Sequence, residues 1–141
     1  MVRPPGSDIP PLTVAQLLQA PDTLRVDGAT LTTQVFLWRD FMSDPVRGSL
    51  LYATVRLNGA PPDTIPPTAG KVYLWVIHGS DVWSATLALG PIDPDGTRTY
   101  LVSGGPRWGP GIDVDVVIGV RSSPSDVDLV LRRTVRILMT S

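Results

Sequence analysis

From residue 71 to residue 89 the chain reads Lys-Val-Tyr-Leu-Trp-Val-Ile-His-Gly-Ser-Asp-Val-Trp-Ser-Ala-Thr-Leu-Ala-Leu. In an extended backbone Val72, Leu74 and Val76 project to one side, and Tyr73, Trp75 and Ile77 to the other. A strand apolar on both faces is a strand covered on both faces. His78-Gly79-Ser80-Asp81 supplies the turn, with Gly79 free to take a positive φ. The returning strand alternates, with Trp83, Ala85, Leu87 and Leu89 set against Ser84, Thr86 and Ala88. This predicted hairpin is the element around which the rest of the chain is organised.

The same period of two recurs along the chain. Residues 24–26 form a short strand and Asp27-Gly28 a tight turn. Residues 30–38 place Leu31, Thr33, Val35 and Leu37 inward and Thr32, Gln34, Phe36 and Trp38 outward. Residues 49–58 place Leu51, Ala53, Val55 and Leu57 inward. Residues 97–102 carry Tyr100 on a further strand, and residues 112–121 give the clearest run, with Val114, Val116, Ile118 and Val120 inward and Asp113 and Asp115 outward. Residues 127–139 form the last strand, but strict alternation there points Arg133 inward with Leu129, Leu131, Val135 and Ile137. A β-bulge near Arg132-Arg133, or an exposed strand end, resolves that conflict. Ahead of the strands, residues 13–20 fit a short helix with Thr13 as N-cap and Val14, Leu17 and Leu18 on one face, ended by Pro21. Four prolines within residues 59–70 predict a stiff crossover.

About eight short strands with regular turn signals fit a β-sandwich or a barrel. The long apolar hairpin that ends the chain resembles the last two strands of immunoglobulin-like and fibronectin type III-like sandwiches. That resemblance covers residues 22–139 and is one of pattern; the cysteine pair of antibody domains is missing. The expected architecture is therefore a single antiparallel immunoglobulin/fibronectin III-like β-sandwich of about 7–8 strands over residues 22–141. Residues 1–21 are expected to be a proline-rich N-terminal tail bearing the short helix.

Composition removes chemistry more than it adds any. The 141 residues hold no cysteine, and all thirteen acidic residues are aspartate. Disulfides, thiolate nucleophiles and glutamate-based acid–base schemes are excluded. A net charge of −1 leaves only a weak long-range field, which argues against general nucleic-acid binding without excluding small local basic patches. No stretch approaches the ~20 apolar residues of a membrane-spanning helix. The N-terminal residues lack the apolar core of a secretory signal. A cell-surface setting is expected if a leader has been removed, and a cytoplasmic one otherwise.

Individual residues fit ordinary structural roles. His78, Ser80 and Asp81 crowd into one turn and cannot form a relay. Asp93-Pro-Asp-Gly lacks the further acids and closing glutamate of a calcium loop and reads as a turn. Asp113 and Asp115 share one strand face and keep it soluble. The tryptophans are more informative. Trp75 reads as core and Trp83 follows the central turn, whereas Trp38, Arg39 and Phe41 lie at a strand end and Arg107 and Trp108 in a Gly/Pro loop. Loop aromatics beside arginine either plug an open end of the fold or contact a partner. Trp38, Arg39, Phe41, Arg107 and Trp108 are accordingly the candidate binding residues, with no catalytic residue, metal or cofactor expected. The expected function is a non-catalytic module for protein–protein interaction, self-association or structural assembly. Carbohydrate binding through the loop tryptophans is the alternative, and neither nucleic-acid binding nor membrane insertion is expected. Far-UV circular dichroism should show β-structure with at most one short helix, and a helix content near the ~1/3 average of globular proteins would contradict the all-β reading.

Overall fold

Alternating segments become strands wherever neighbours can complete their backbone hydrogen bonds. The computed structural model describes residues 9–26, 29–59, 71–121 and 126–140. Among them it contains α1 (Val14–Leu18), β1 (Leu24–Val26), β2 (Ala29–Asp40), β3 (Leu51–Gly59), β4 (Val72–His78), β5 (Asp81–Ile92), β6 (Arg98–Gly105), β7 (Asp113–Arg121) and β8 (Val127–Thr140). The expected tail over residues 1–8, the turn at 27–28, the crossover at 60–70 and most of the turn at 122–126 lie outside the described residues.

The strands pair in the order β1-β2-β3-β6-β5-β4-β7-β8, and β8 then pairs again with β2. That second pairing is parallel, with Leu37 opposite Ile137 and Asp40 opposite Thr140. It closes β2 through β8 into a seven-stranded barrel, with β1 added beside the start of β2. The immunoglobulin-like and fibronectin III-like sandwich expected from the sequence is therefore wrong. A sandwich would leave sheet edges open, whereas here the ladder runs around the ring. The physical reason is edge satisfaction: closure gives both outer strands a backbone partner. Ladder irregularities between β3 and β6, between β5 and β6 and between β7 and β8 accompany the curvature. The expectation of purely antiparallel strands fails only at the closing pair.

Two apolar layers result. Inward residues of the ring, among them Leu37, Val55, Leu74, Val76, Tyr100, Val116, Ile118 and Ile137, form the barrel core. The opposite face of β4 is also apolar, as expected, and Tyr73, Trp75 and Ile77 are buried with it. What covers that face is α1. Thr13 caps the helix and closes a capping box with Gln16. Leu17, fully buried, packs with Tyr73, Trp75, Val117 and Leu131 on the outside of the barrel, flanked by Val14 and Leu18. Gly119 lies under this layer because a Cβ there would meet Trp75 and Val127 at 2.9 Å. The N-terminal segment is fastened to β8 as well: Leu131 N–H donates to Pro21 O at 2.8 Å, and Arg132 to Asp22 O at 2.8 Å.

The bulge expected in the last strand is present one residue further on. Arg133 and Thr134 together oppose Asp115, and Thr134 takes φ +57°. The extra residue shifts the phase of β8. Val130 faces the barrel core before the bulge, and Val135 and Ile137 face it afterwards. Leu129 and Leu131, expected inward, lie on the outer face beneath α1 instead. Arg133 is thereby released to solvent, its side chain 63% exposed.

Truncating the fully buried Val116 or Ile118 to alanine should cost about 1–4 kcal/mol in denaturant unfolding. Leu17→Ala should cost a comparable ~2–4 kcal/mol although its helix lies outside the barrel. Thr32→Ala, at an exposed outward position, should change stability by no more than about 0.5 kcal/mol.

Candidate functional site

Three regions of the barrel carry features that its closure alone does not require. The first is the end where β2 finishes, β3 begins and the β6–β7 loop crosses. Alternation along β2 continues past Leu37, so Arg39 points inward and is buried at 5% exposure. Its guanidinium is held by main-chain oxygens. Arg39 Nε donates to Ser49 O at 2.9 Å, one terminal nitrogen donates to Gly109 O at 2.6 Å and to Arg107 O at 3.4 Å, and the other donates to Arg47 O. The Phe41 ring lies against it, 5.0 Å from centroid to guanidinium carbon. Gly48, at φ +71°, makes room for that ring: a Cβ there would sit 2.5 Å from it.

This end gathers most of the residues that the sequence singles out. Arg39, with the Phe41 ring against it, meets the backbone of the loop carrying Arg107 and Trp108. Trp108 is half-buried against the barrel core, and its ring centroid lies 5.2 Å from that of His78. Trp83 also packs against the core, over Gly105, where a Cβ would meet its ring at 2.7 Å. The arrangement ties the β2–β3 and β6–β7 loops across the barrel end. Arg107, by contrast, is exposed and enters the arrangement through its carbonyl oxygen. Trp38 is not part of it; it faces outward and stacks on Tyr52 at 5.4 Å and 11°.

The second region is the outer wall on which Trp38 stands. Register places Leu138 of β8, Trp38 of β2 and Tyr52 of β3 side by side. Phe36, Thr54 and Leu101 form the next row across β2, β3 and β6. Phe36, Leu101 and Leu138 are 44%, 43% and 51% exposed. Sequence reasoning missed this set apart from Trp38. Its one signal was apolar residues at outward positions of alternating strands, and the neighbours lie too far apart in the chain for that signal to join them.

The third region is a groove of about 260 Å³ on the same wall, towards the other barrel end. Thr32 and Gln34 of β2 face Asn58 and Arg56 of β3 across the ladder. Asp95 and Thr97, from the β5–β6 turn, form the bank. Arg56 pairs with Asp93 at 3.3 Å. Asp95 accepts the Thr97 N–H at 3.0 Å, and this bond, helped by the Thr97 hydroxyl and the Arg56 charge, holds its carboxyl below the usual aspartate range.

The remaining candidate groups have local roles. Among the described residues no side-chain hydrogen bond joins His78 to Ser80 or Asp81; His78 and Asp81 are the paired residues flanking the turn. The Asp93–Asp95 turn engages Arg56 and Thr97, as above. Asp113 meets Arg136 at 2.8 Å, and that bond and charge raise the Arg136 pKa; Asp115 accepts the Thr134 N–H at 3.2 Å beside Arg133. These carboxylates thus pair across the β7–β8 ladder at the bulge.

Compared with known proteins, the chain matches no family model, no curated protein and no solved structure.

Arg39→Met keeps much of the side-chain length but leaves four carbonyl oxygens without their donor. It should cost about 3 kcal/mol or more in thermal or denaturant unfolding. Trp108→Ala should cost about 3 kcal/mol through lost packing, with oligomeric state unchanged. A stable Trp108→Ala protein with weakened association would instead identify this barrel end as a contact surface.

Proposed function

We propose that this chain is a non-catalytic module for protein–protein interaction and assembly, and that its contact face is the outer wall formed by β2, β3, β6 and the end of β8. The observation carrying this reading is the exposed apolar set of Phe36, Leu101 and Leu138 around the Trp38–Tyr52 stack. On the wall formed by β4, β7 and β8, the chain buries its outward apolar residues under α1. On this wall it places no element of its own over them among the described residues. Aromatic side chains at the centre of an apolar patch are the residues that dominate binding energy at protein interfaces.

The distribution of tryptophans favours a protein partner over sugar stacking by tryptophan. Trp75 lies under α1, and Trp83 and Trp108 pack on the barrel core. Trp38 alone of the four stands on the open wall, with one face of its ring against Tyr52. There is no coplanar exposed row of tryptophans on which a glycan chain could lie.

Sedimentation velocity over rising concentration tests the assembly form of this reading. The native chain should self-associate, and Phe36→Asp and Leu138→Asp should each abolish association while leaving the melting temperature close to native, because both side chains already face water. Equal sedimentation of the native chain and both variants at every concentration would count against this wall as the contact face.

A further inference from the structure

We infer that the groove between β2, β3 and the β5–β6 turn is a binding site for a neutral saccharide. This goes beyond the assembly reading and rests on a different, polar set of residues, with Phe36 alone shared between the two. The lining is built from outward side chains on two paired strands, Thr32, Gln34, Arg56 and Asn58, with Asp95 and Thr97 as the bank. It offers both kinds of hydrogen-bonding group: amide and guanidinium N–H donors, amide and carboxylate acceptors, and hydroxyls that act as either. A sugar hydroxyl also donates and accepts, so a mixed lining suits it. A phosphate or sulfate would require an excess of donors.

Charge points the same way. The guanidinium of Arg56 faces Asp93 at 3.3 Å and lies close enough to Asp95 to lower its pKa. Within the lining one carboxylate, Asp95, stands against one cation, Arg56, which is also engaged by Asp93, so the groove holds no excess of positive charge to draw an anionic ligand. A cationic ligand would have to compete for carboxylates already engaged by Arg56 and by the Thr97 N–H. A neutral ligand meets neither obstacle. Phe36 is the next outward residue of β2 after Gln34 and is 44% exposed, so an apolar ring face adjoins the polar floor. The C–H face of a pyranose ring pairs with such a surface through apolar contact. A volume of about 260 Å³ is below the ~300–1,000 Å³ of clefts for drug-sized ligands, which suits a single sugar ring with its neighbours extending outward.

The test is an amide NMR titration of the full chain with the methyl glycosides of glucose, galactose, mannose and N-acetylglucosamine and with their 1,4-linked disaccharides. At least one should shift the side-chain amides of Gln34 and Asn58 saturably, with a dissociation constant on the order of millimolar or tighter. Gln34→Ala and Asn58→Ala should each weaken binding by about fivefold or more while the dispersed spectrum is retained. Leu138→Asp should leave binding unchanged, so that loss of the sugar site and loss of assembly are read separately. The inference is overturned if none of these sugars shifts the Gln34 and Asn58 amides, or if inorganic phosphate or lysine amide shifts them at lower concentration than any sugar does.

Discussion

A β-strand at the edge of a sheet leaves a row of backbone N–H and C=O groups without partners. In this chain the parallel pairing of Leu37–Asp40 with Ile137–Thr140 is what removes that problem for β2 and β8. Residues about a hundred positions apart must meet for it to form. Leu37 and Ile137, paired at the seam and both fully buried, join the closing ladder to the barrel core. Phe41 N–H extends the contact by donating to Thr140 O at 2.8 Å. Gly111 N–H donates to Ile137 O, and Ile137 N–H to Ile112 O, so the β6–β7 loop is fastened to the same strand end. Closure and the Arg39 cluster therefore belong to one construction. The seam brings the ends of β2 and β8 together, and Arg39 then joins the loops that pass over them.

The seam does not run the full length of β2. Its pairing with β8 begins at Leu37, while the first residues of β2 pair with β1. β1 thus occupies the side of β2 that β8 has left, with Leu24 and Val26 buried in the barrel core. The bulge at Arg133-Thr134 lies just ahead of the point where β8 reaches β2. A bulge bends its strand and sharpens its twist, which is the change of course β8 needs in order to return to β2. The same extra residue turns Leu129 and Leu131 outward, where α1 and its flanking residues cover them. One inserted residue accounts for the phase shift of β8, the outer apolar layer on that strand and the exposure of Arg133.

Local structure was largely legible in the sequence, and the way the ends meet was not. Alternation from Val72 to Leu87 defines a hairpin with Gly79 in its turn, and Thr13 marks the start of the helix, because both signals act over a few residues. The expected conflict at Arg133 was legible as a bulge because an arginine in an otherwise apolar phase has few other outcomes. Closure was not legible, because inward–outward alternation is the same in a sandwich and in a barrel. The candidate residues divide along the same line. Arg39, Phe41 and Trp108 stand out in the sequence by residue type and do gather at one barrel end, joined by contacts that no local pattern encodes. In the sequence Leu101 and Leu138 are single apolar residues on solvent-facing positions, which are common on soluble surfaces. They gain meaning only when the register sets them beside Phe36 and Trp38.

That register also separates two uses of aromatic side chains that composition alone cannot. At the barrel end, Trp83 and Trp108 face apolar atoms of their own domain, and Phe41 faces the buried Arg39 charge; each satisfies a need created by the fold. On the open wall, Phe36 and Leu101 flank Thr54, and the Trp38–Tyr52 stack has Leu138 beside it. None of these outward side chains is needed to fill the barrel core, which the inward residues of the same strands already fill. Their large apolar area in water is unfavourable for an isolated chain. The wall also changes character along its length, from Thr32, Gln34, Arg56 and Asn58 to Phe36, Trp38, Tyr52 and Leu138. Under the proposed reading the division follows from the two uses of one face: the apolar half would suit a surface that is withdrawn from water, and the polar half a ligand that brings its own hydrogen bonds.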